Sequence, residues 1–404
     1  MTYSPQGYSP QHPYQQRPSK RILISTGEVS GDLQGALLIE ALKRQAAVSD
    51  LKLEIVALGG DRMAQAGASL LAHTSGIGSV GLVESLPFVL PTLQIQRRVK
   101  RYLSQHAVDA VVLLDYMGPN LKLGTYLKRS QPALPLIYYI APQEWVWSIG
   151  SGNTAKLVKA TDRLLAIFPE EARYYRSHGA DVTWVGHPIV DHVLNYPSRS
   201  QARRQLGLPE DARAIALLPA SRRQELTYLA PVIFETAARL QAAQSDLTFW
   251  VPLSLARYRP QLEAMIDRYG LQATRVEHQP QVVIAAADLA ICKSGTVNLE
   301  TALMDVPQLV LYRVNPLTFW VARHLLRFSI PFMSPANLAL MEPIVPEFLQ
   351  GDATADKLTA AALDLLQNDA HRQRMRQDYG RMRQALGEPG ACDRAAAAIL
   401  AYMT

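Results

Sequence analysis

The sequence predicts an α/β protein of two doubly wound, parallel-sheet domains in series, facing one another across a cleft and followed by C-terminal helices. Three observations predict it. The 404 residues exceed what one hydrophobic core usually supports. Short β-rich apolar runs alternate with helical patterns through both halves, and the alternation restarts after a polar stretch near residues 195–200.

The first run, Arg21 to Ser25, ends in a Gly-rich turn, and the following helix sets Leu33, Leu37, Leu38, Ala41 and Leu42 on one face, the spacing of an amphipathic segment laid on a sheet. Further strands are predicted at 53–58, 110–114, 136–140, 164–168 and 182–185, which completes a Rossmann-like domain over 21–190. After Gly186-His187-Pro188 a second Rossmann-like domain, 191–350, is predicted from runs at 215–218, 247–251, 289–292 and 308–312. Residues 351–404 read as helices expected to return to the first domain. Residues 1–20, with Pro5, Pro10, Pro13 and Pro18 among Gln and Tyr, lack the apolar core of a signal peptide and read as a flexible tail.

Composition narrows the class. With 48% hydrophobic and 19% charged residues the chain is too apolar for disorder and too interrupted by charge for a membrane bundle. No apolar run reaches the roughly 18 residues of a spanning helix. Cys292 and Cys392 are the only cysteines, too few for a disulfide framework or a cysteine-ligated metal, which suits the cytosol. A net charge of +6 points to an anionic partner. There is no zinc-finger spacing, aromatic RNA-binding signature or long basic helix, so nucleic acid is set aside in favour of a phosphorylated substrate or an acidic lipid surface.

Four turns carry the chemistry. Gly27-Glu28-Val29-Ser30-Gly31-Asp32 lies where the first strand enters the first helix, so amide groups and the positive helix end face the cleft; Gly27 and Gly31 either let a ligand approach or serve packing. Pro219-Ala220-Ser221-Arg222-Arg223 repeats this in the second domain, and two arginines at a helix N-terminus oppose its dipole unless an anion binds there. Ser294-Gly295-Thr296 follows a buried strand, with Glu300 one helical turn beyond Thr296: a diphosphate would find donors and a ribose a carboxylate, or the Glu is merely solvated. Asp115 closes the strand 111–114 at the sheet edge where open α/β folds bind ligands, able either to accept a proton from a hydroxyl or to cap the next helix. Gly76 to Gly81 spells a dinucleotide fingerprint but follows no clear strand and reads as a loop.

No Asp-x-Asp occurs, so no metal ligands are assigned and no cofactor is expected; leaving-group charge falls to Arg and helix dipoles. Two segments have the apolar face and cationic flank of helices that lie in a lipid interface: Leu82 to Ile95 running into Arg97, Arg98, Lys100 and Arg101, and Pro316 to Phe332 with Phe319, Trp320, Arg323 and Arg327. Core helices can look the same.

Together these stretches resemble lipid-A-disaccharide synthases from about residue 21 to residue 350. The blocks are GEVSGDLQGALLIEAL at 27–42, LLAIFPEEARYY at 164–175, WVGHP at 184–188, LLPASRRQEL at 217–226, SGTVNLETAL at 294–303 and YRVNPLTFWVARHLL at 312–326. The resemblance implies an inverting, metal-independent hexosyltransferase of the GT-B type. It would join UDP-2,3-diacylglucosamine to 2,3-diacylglucosamine 1-phosphate, giving a β-1,6 disaccharide and UDP, peripherally on the inner face of a Gram-negative inner membrane. It places Asp115 on the family's essential aspartate and Arg222 on its essential arginine. Ser294, Gly295, Thr296 and Glu300 fall on the UDP-binding turn and helix, and Asn337 and Glu347 on a loop near the nucleotide.

Most departures lie in the acceptor lobe: the family's Asp-Ala-Pro-Asp-Phe-Asn is here Asp115-Tyr116-Met117-Gly118-Pro119-Asn120 and its Trp-Ala-Trp-Arg is Trp145-Val146-Trp147-Ser148, while in the second lobe its Gly before Ser-Arg is Ala220 and a Gly-Arg-Glu is Met341-Glu342-Pro343. The donor assignment is therefore the firmer. A UDP-sugar isomerase of the epimerase type, or an inactive UDP-sugar-binding homologue, stays open on sequence, as does a homodimer.

Overall fold

A computed structural model of the chain describes residues 18–74, 88–146, 152–219, 223–253, 256–277, 279–315, 319–320 and 331–403. Gly76 to Gly81, Arg222, residues 82–87 and most of 316–330 therefore lie outside the described residues.

Two parallel sheets organise the molecule. The first contains β1 (Ser19–Ser25), β2 (Lys52–Gly59), β3 (Ser69–His73), β4 (Ala110–Leu114), β5 (Leu136–Tyr139), β6 (Arg163–Ala166) and β7 (Val182–Trp184), in the order β3-β2-β1-β4-β5-β6-β7. The second contains β8 (Arg213–Leu218), β9 (Leu247–Leu253), β10 (Ala273–Glu277), β11 (Leu289–Lys293), β12 (Gln308–Tyr312) and β13 (Glu347–Leu349), in the order β10-β9-β8-β11-β12-β13. Each is doubly wound. Strand order reverses at β1/β4 in one and at β8/β11 in the other, and parallel α/β sheets bind ligands outside such reversals.

Burial explains which strands were legible. All five residues of β4 are buried, as are Ile22 to Ser25 of β1 and Ala214 to Leu218 of β8; strands covered on both faces read as unbroken apolar runs. Three strands were not anticipated: β3, β10 and β13. Each lies at the edge of its sheet, where part of every side chain reaches solvent and no continuous run is required. The predicted ends at Ile140 and Phe168 also overshoot, and Ile140 has φ +58°, outside any strand.

The helix Glu28–Val48 is not an amphipathic segment with one covered face. Ala36, Leu38, Ile39, Ala41 and Leu42 are fully or nearly buried while Leu33 and Leu37 are only half-buried. The reason is tertiary: the helix Ala391–Ala401 packs along it, so it is buried against the sheet on one side and against the chain's last helix on the other. Arg44 pairs with Asp393 across this contact at 2.9 Å. The chain crosses between the sheets at 185–195 and again at 386–390, and Asp191 joins the two crossings by accepting from the amides of Gly390 (2.5 Å) and Cys392 (3.0 Å).

Candidate active site

The carboxyl end of β4 is strained. Asp115 and Tyr116 both have φ +48° and, at the end of neighbouring β5, Ile140 has φ +58°. Left-handed backbone in non-glycine residues is uncommon and concentrates where surrounding structure enforces it, often at functional sites. Here the enforcer is Asn120, fully buried, whose Oδ1 accepts from Ser25 Oγ (2.7 Å) and whose Nδ2 reaches the carbonyls of Ser25 (3.1 Å), Leu114 (3.1 Å) and Asp115 (2.9 Å). It stitches the ends of β1 and β4 across the strand-order reversal. The Tyr138 hydroxyl adds a bond to the Asp115 carbonyl (2.7 Å), and burial, with Asp115 nearby, holds that phenol far above its ordinary pKa.

The turn 27–32 is closely packed: a Cβ at Gly27 would come within 2.5 Å of the Tyr116 ring, and one at Gly31 within 2.0 Å of Thr26 Oγ1. Asp32 is spent on structure, accepting from the amides of Gly60 (2.7 Å) and Met63 (3.2 Å) at the end of β2. Ser30, Gly31 and Gln34 of the same helix nevertheless face a cavity.

On the second lobe Gly295 has φ +148°, a conformation open essentially to glycine alone. Its amide donates to Asn298 Oδ1 (2.9 Å), and buried Asn298 returns a bond to the Lys293 carbonyl (2.9 Å), closing the turn on itself. Ser294 Oγ donates to the Met333 carbonyl (2.6 Å). Glu347 accepts from the amides of Met333 and Ser334 (2.8 Å each) and from Asn337 Nδ2 (2.7 Å). Ser294, Asn337 and Glu347 thus fix the loop at 333–334 beside the turn. Glu300 accepts from Tyr196 Oη (2.9 Å) in the inter-lobe linker through one carboxylate oxygen, and burial raises its pKa against the lowering effects of Tyr196, Arg62 and Lys293.

The two edges meet. One cavity is lined by Ser30, Asp115, Ile140 and Glu171 of the first lobe and by Thr296, Leu299 and Pro335 of the second, with His187 between them. Glu171 and His187 were not singled out from the sequence. Buried Glu171 accepts from the amides of Ala141 (2.9 Å), Ile167 (2.8 Å) and Phe168 (3.1 Å), and burial pushes its pKa up to about 7 despite those bonds. His187 is pushed down to about 3 by burial and stacks edge-on to Phe168 at 5.0 Å. His187 stands as a polar residue in an otherwise apolar block, whereas Glu171, beside Glu170 and Arg173, carries no such signal. Among the described residues no group of His, Cys, Asp and Glu could hold a metal.

Two facing Rossmann-like lobes with a shared cleft between their strand-order reversals define the GT-B class of glycosyltransferases and its fold relatives. The fold is shared with the glycotransferase of kitacinnamycin (TM-score 0.59, 15% identity, 96% of this chain and 100% of that one) and with UDP-GlcNAc 2-epimerase from Neisseria meningitidis bound to UDP-GlcNAc (0.56, 13%, 95% and 99%). Sequence resolves the choice. The profile of the family described as lipid-A-disaccharide synthetase matches residues 22–402, and a lipid-A-disaccharide synthase from Gloeothece citriformis (strain PCC 7424) is 54% identical over 95% of this chain and 100% of its own length. The chain belongs to the lipid-A-disaccharide synthase family, and it is a glycosyltransferase.

Proposed function

We propose that the chain transfers 2,3-diacylglucosamine from UDP to the 6-hydroxyl of 2,3-diacylglucosamine 1-phosphate, releasing UDP and forming the β-1,6 disaccharide 1-phosphate. The carrying observation is that Asp115 and Thr296, from the reversal points of separate sheets, line one cavity. Asp115 takes the 6-hydroxyl proton as that oxygen bonds to the anomeric carbon from the face opposite UDP, and the bond from that carbon to the diphosphate oxygen breaks. Arg222 and the 294–296 turn receive the charge left on the diphosphate. The proposed domain limits are an acceptor lobe over 21–190, extended at its start because β1 begins at Ser19, a UDP-sugar lobe over 191–350 and helices over 351–404.

No helix among the described residues is long and apolar enough to cross a membrane. A peripheral position on the inner face of the inner membrane is supported by the helix Val89–Gln105. Its first turns expose Val89 (48%), Leu90 (71%) and Leu93 (44%), followed by exposed Arg97, Arg98 and Arg101. Apolar side chains beside cations suit an anionic lipid surface supplying the acyl substrates.

The test is purified protein with both substrates and EDTA, read by mass spectrometry. Disaccharide 1-phosphate and UDP are expected. UDP-sugar conversion without acceptor would replace this reading with an isomerase, and UDP binding without turnover would replace it with an inactive homologue.

A further inference from the structure

The second lobe holds a largely covered cation that the protein satisfies on one side only. Lys293 ends β11, and Glu225 lies on the helix Arg223–Tyr228 that follows β8, so their ion pair, 3.3 Å long, spans the strand-order reversal of the second sheet. At 15% and 14% exposure the two side chains are mostly covered but not sealed in. Among the described residues Glu225 is the only carboxylate within ion-pair distance of Lys293, and no group accepts a hydrogen bond from its ammonium.

The ammonium also lies against the turn. A Cβ at Gly295 would stand 3.0 Å from Nζ, so a residue without a side chain leaves room for the charge just before the helix Thr296–Leu303. A cation there opposes the positive helix end, and a covered ammonium with one partner for three N–H donors is costly. An anion with several acceptor oxygens offsets both costs, and it is outside such reversals that open α/β sheets bind ligands. Thr296, the next residue, lines the inter-lobe cavity.

We infer that Lys293 is a second cation for the donor's diphosphate, in addition to Arg222, an inference that rests on the function proposed above. Glu225 holds the ammonium in the free chain, and the ammonium donates to a phosphate oxygen once a nucleotide occupies the 294–296 turn. Because the contact is to phosphate and not to base or ribose, it favours a nucleoside diphosphate over the bare nucleoside.

The experiment measures UDP binding by calorimetry and uridine binding by competition, on the full-length chain. In Lys293→Met the UDP Kd should rise about 10- to 100-fold, the worth of one charged hydrogen bond, with uridine within threefold. Added salt should weaken UDP binding more steeply in wild type than in this variant. Lys293→Met leaves the Glu225 carboxylate without its ion-pair partner, so a double variant, Lys293→Met with Glu225→Gln, removes both charges and guards against misfolding. Its UDP loss should be smaller, about three- to tenfold, because a repelling carboxylate goes with the cation, and uridine should again be unaffected. Equal losses of UDP and uridine, or a UDP Kd within twofold of wild type in both variants, would overturn the inference while wild-type turnover left the proposed function standing. No UDP binding by wild type would remove both.

Discussion

The two reversal points solve one geometric problem with opposite means. At β1/β4 the protein holds non-glycine residues in left-handed backbone, Asp115 and Tyr116, and restrains them with buried Asn120. At β8/β11 it uses Gly295, for which a positive φ carries no steric penalty, and closes the turn with Asn298 and the Glu347-pinned loop. Under the proposed function the first edge presents a carboxylate, which glycine cannot supply, so it accepts strain; the second presents a turn, where glycine serves without strain.

The sharpest break in that comparison is Asp115→Asn. Asn tolerates left-handed backbone as well as Asp does, so the edge survives, and kcat should fall about 10²- to 10⁴-fold with UDP affinity within threefold by calorimetry. Near-normal turnover would end the assignment of a base to the first edge. Arg222→Ala comes next, with kcat down about 10²- to 10³-fold if the diphosphate charge is met there; a change in acceptor KM alone would move Arg222 out of that role.

Glu171 sharpens the contrast through pH. Its folded pKa of about 7 lies above the ordinary 4.5. Between these values the folded chain keeps a proton that the unfolded chain releases, so stability falls as pH rises through the window. At 1.36 kcal/mol per unit the loss is at most about 3 kcal/mol. In urea unfolding from pH 4.5 to 7.5 the stability of wild type minus that of Glu171→Gln should fall by that amount, the opposite slope from buried His187 cancelling in the difference; parallel curves would contradict it. The smallest effect is Gly295→Ala, which forces a side chain into φ +148° with its Cβ 3.0 Å from Lys293 Nζ. It should cost about 1–3 kcal/mol of stability and weaken UDP binding without changing the acceptor KM. Loss confined to the acceptor would mean that the second edge is not the nucleotide's.

Much of this was legible because it is local. Strands β1, β4, β8 and β11 are buried on both faces and announce themselves as apolar runs, and each is followed at once by the polar turn that matters. The edge strands β3, β10 and β13 carry no such run. Helical spacing gave the position of Glu300 relative to Thr296 but not that Tyr196 of the linker would lie against one of its carboxylate oxygens. That Tyr116 and Thr26 would pack against Gly27 and Gly31 was likewise not legible from the turn alone.

The amino-acid sequence by itself determined the succession of strand, turn and helix, the chemistry carried by each turn, and the family, because periodicity, turn chemistry and block order are properties of neighbouring residues. Only the tertiary structure decided that Asp115, Glu171, His187 and Thr296 would share a cavity. That outcome depends on how separate elements pack, and no stretch of chain encodes the position of a surface it does not itself contain.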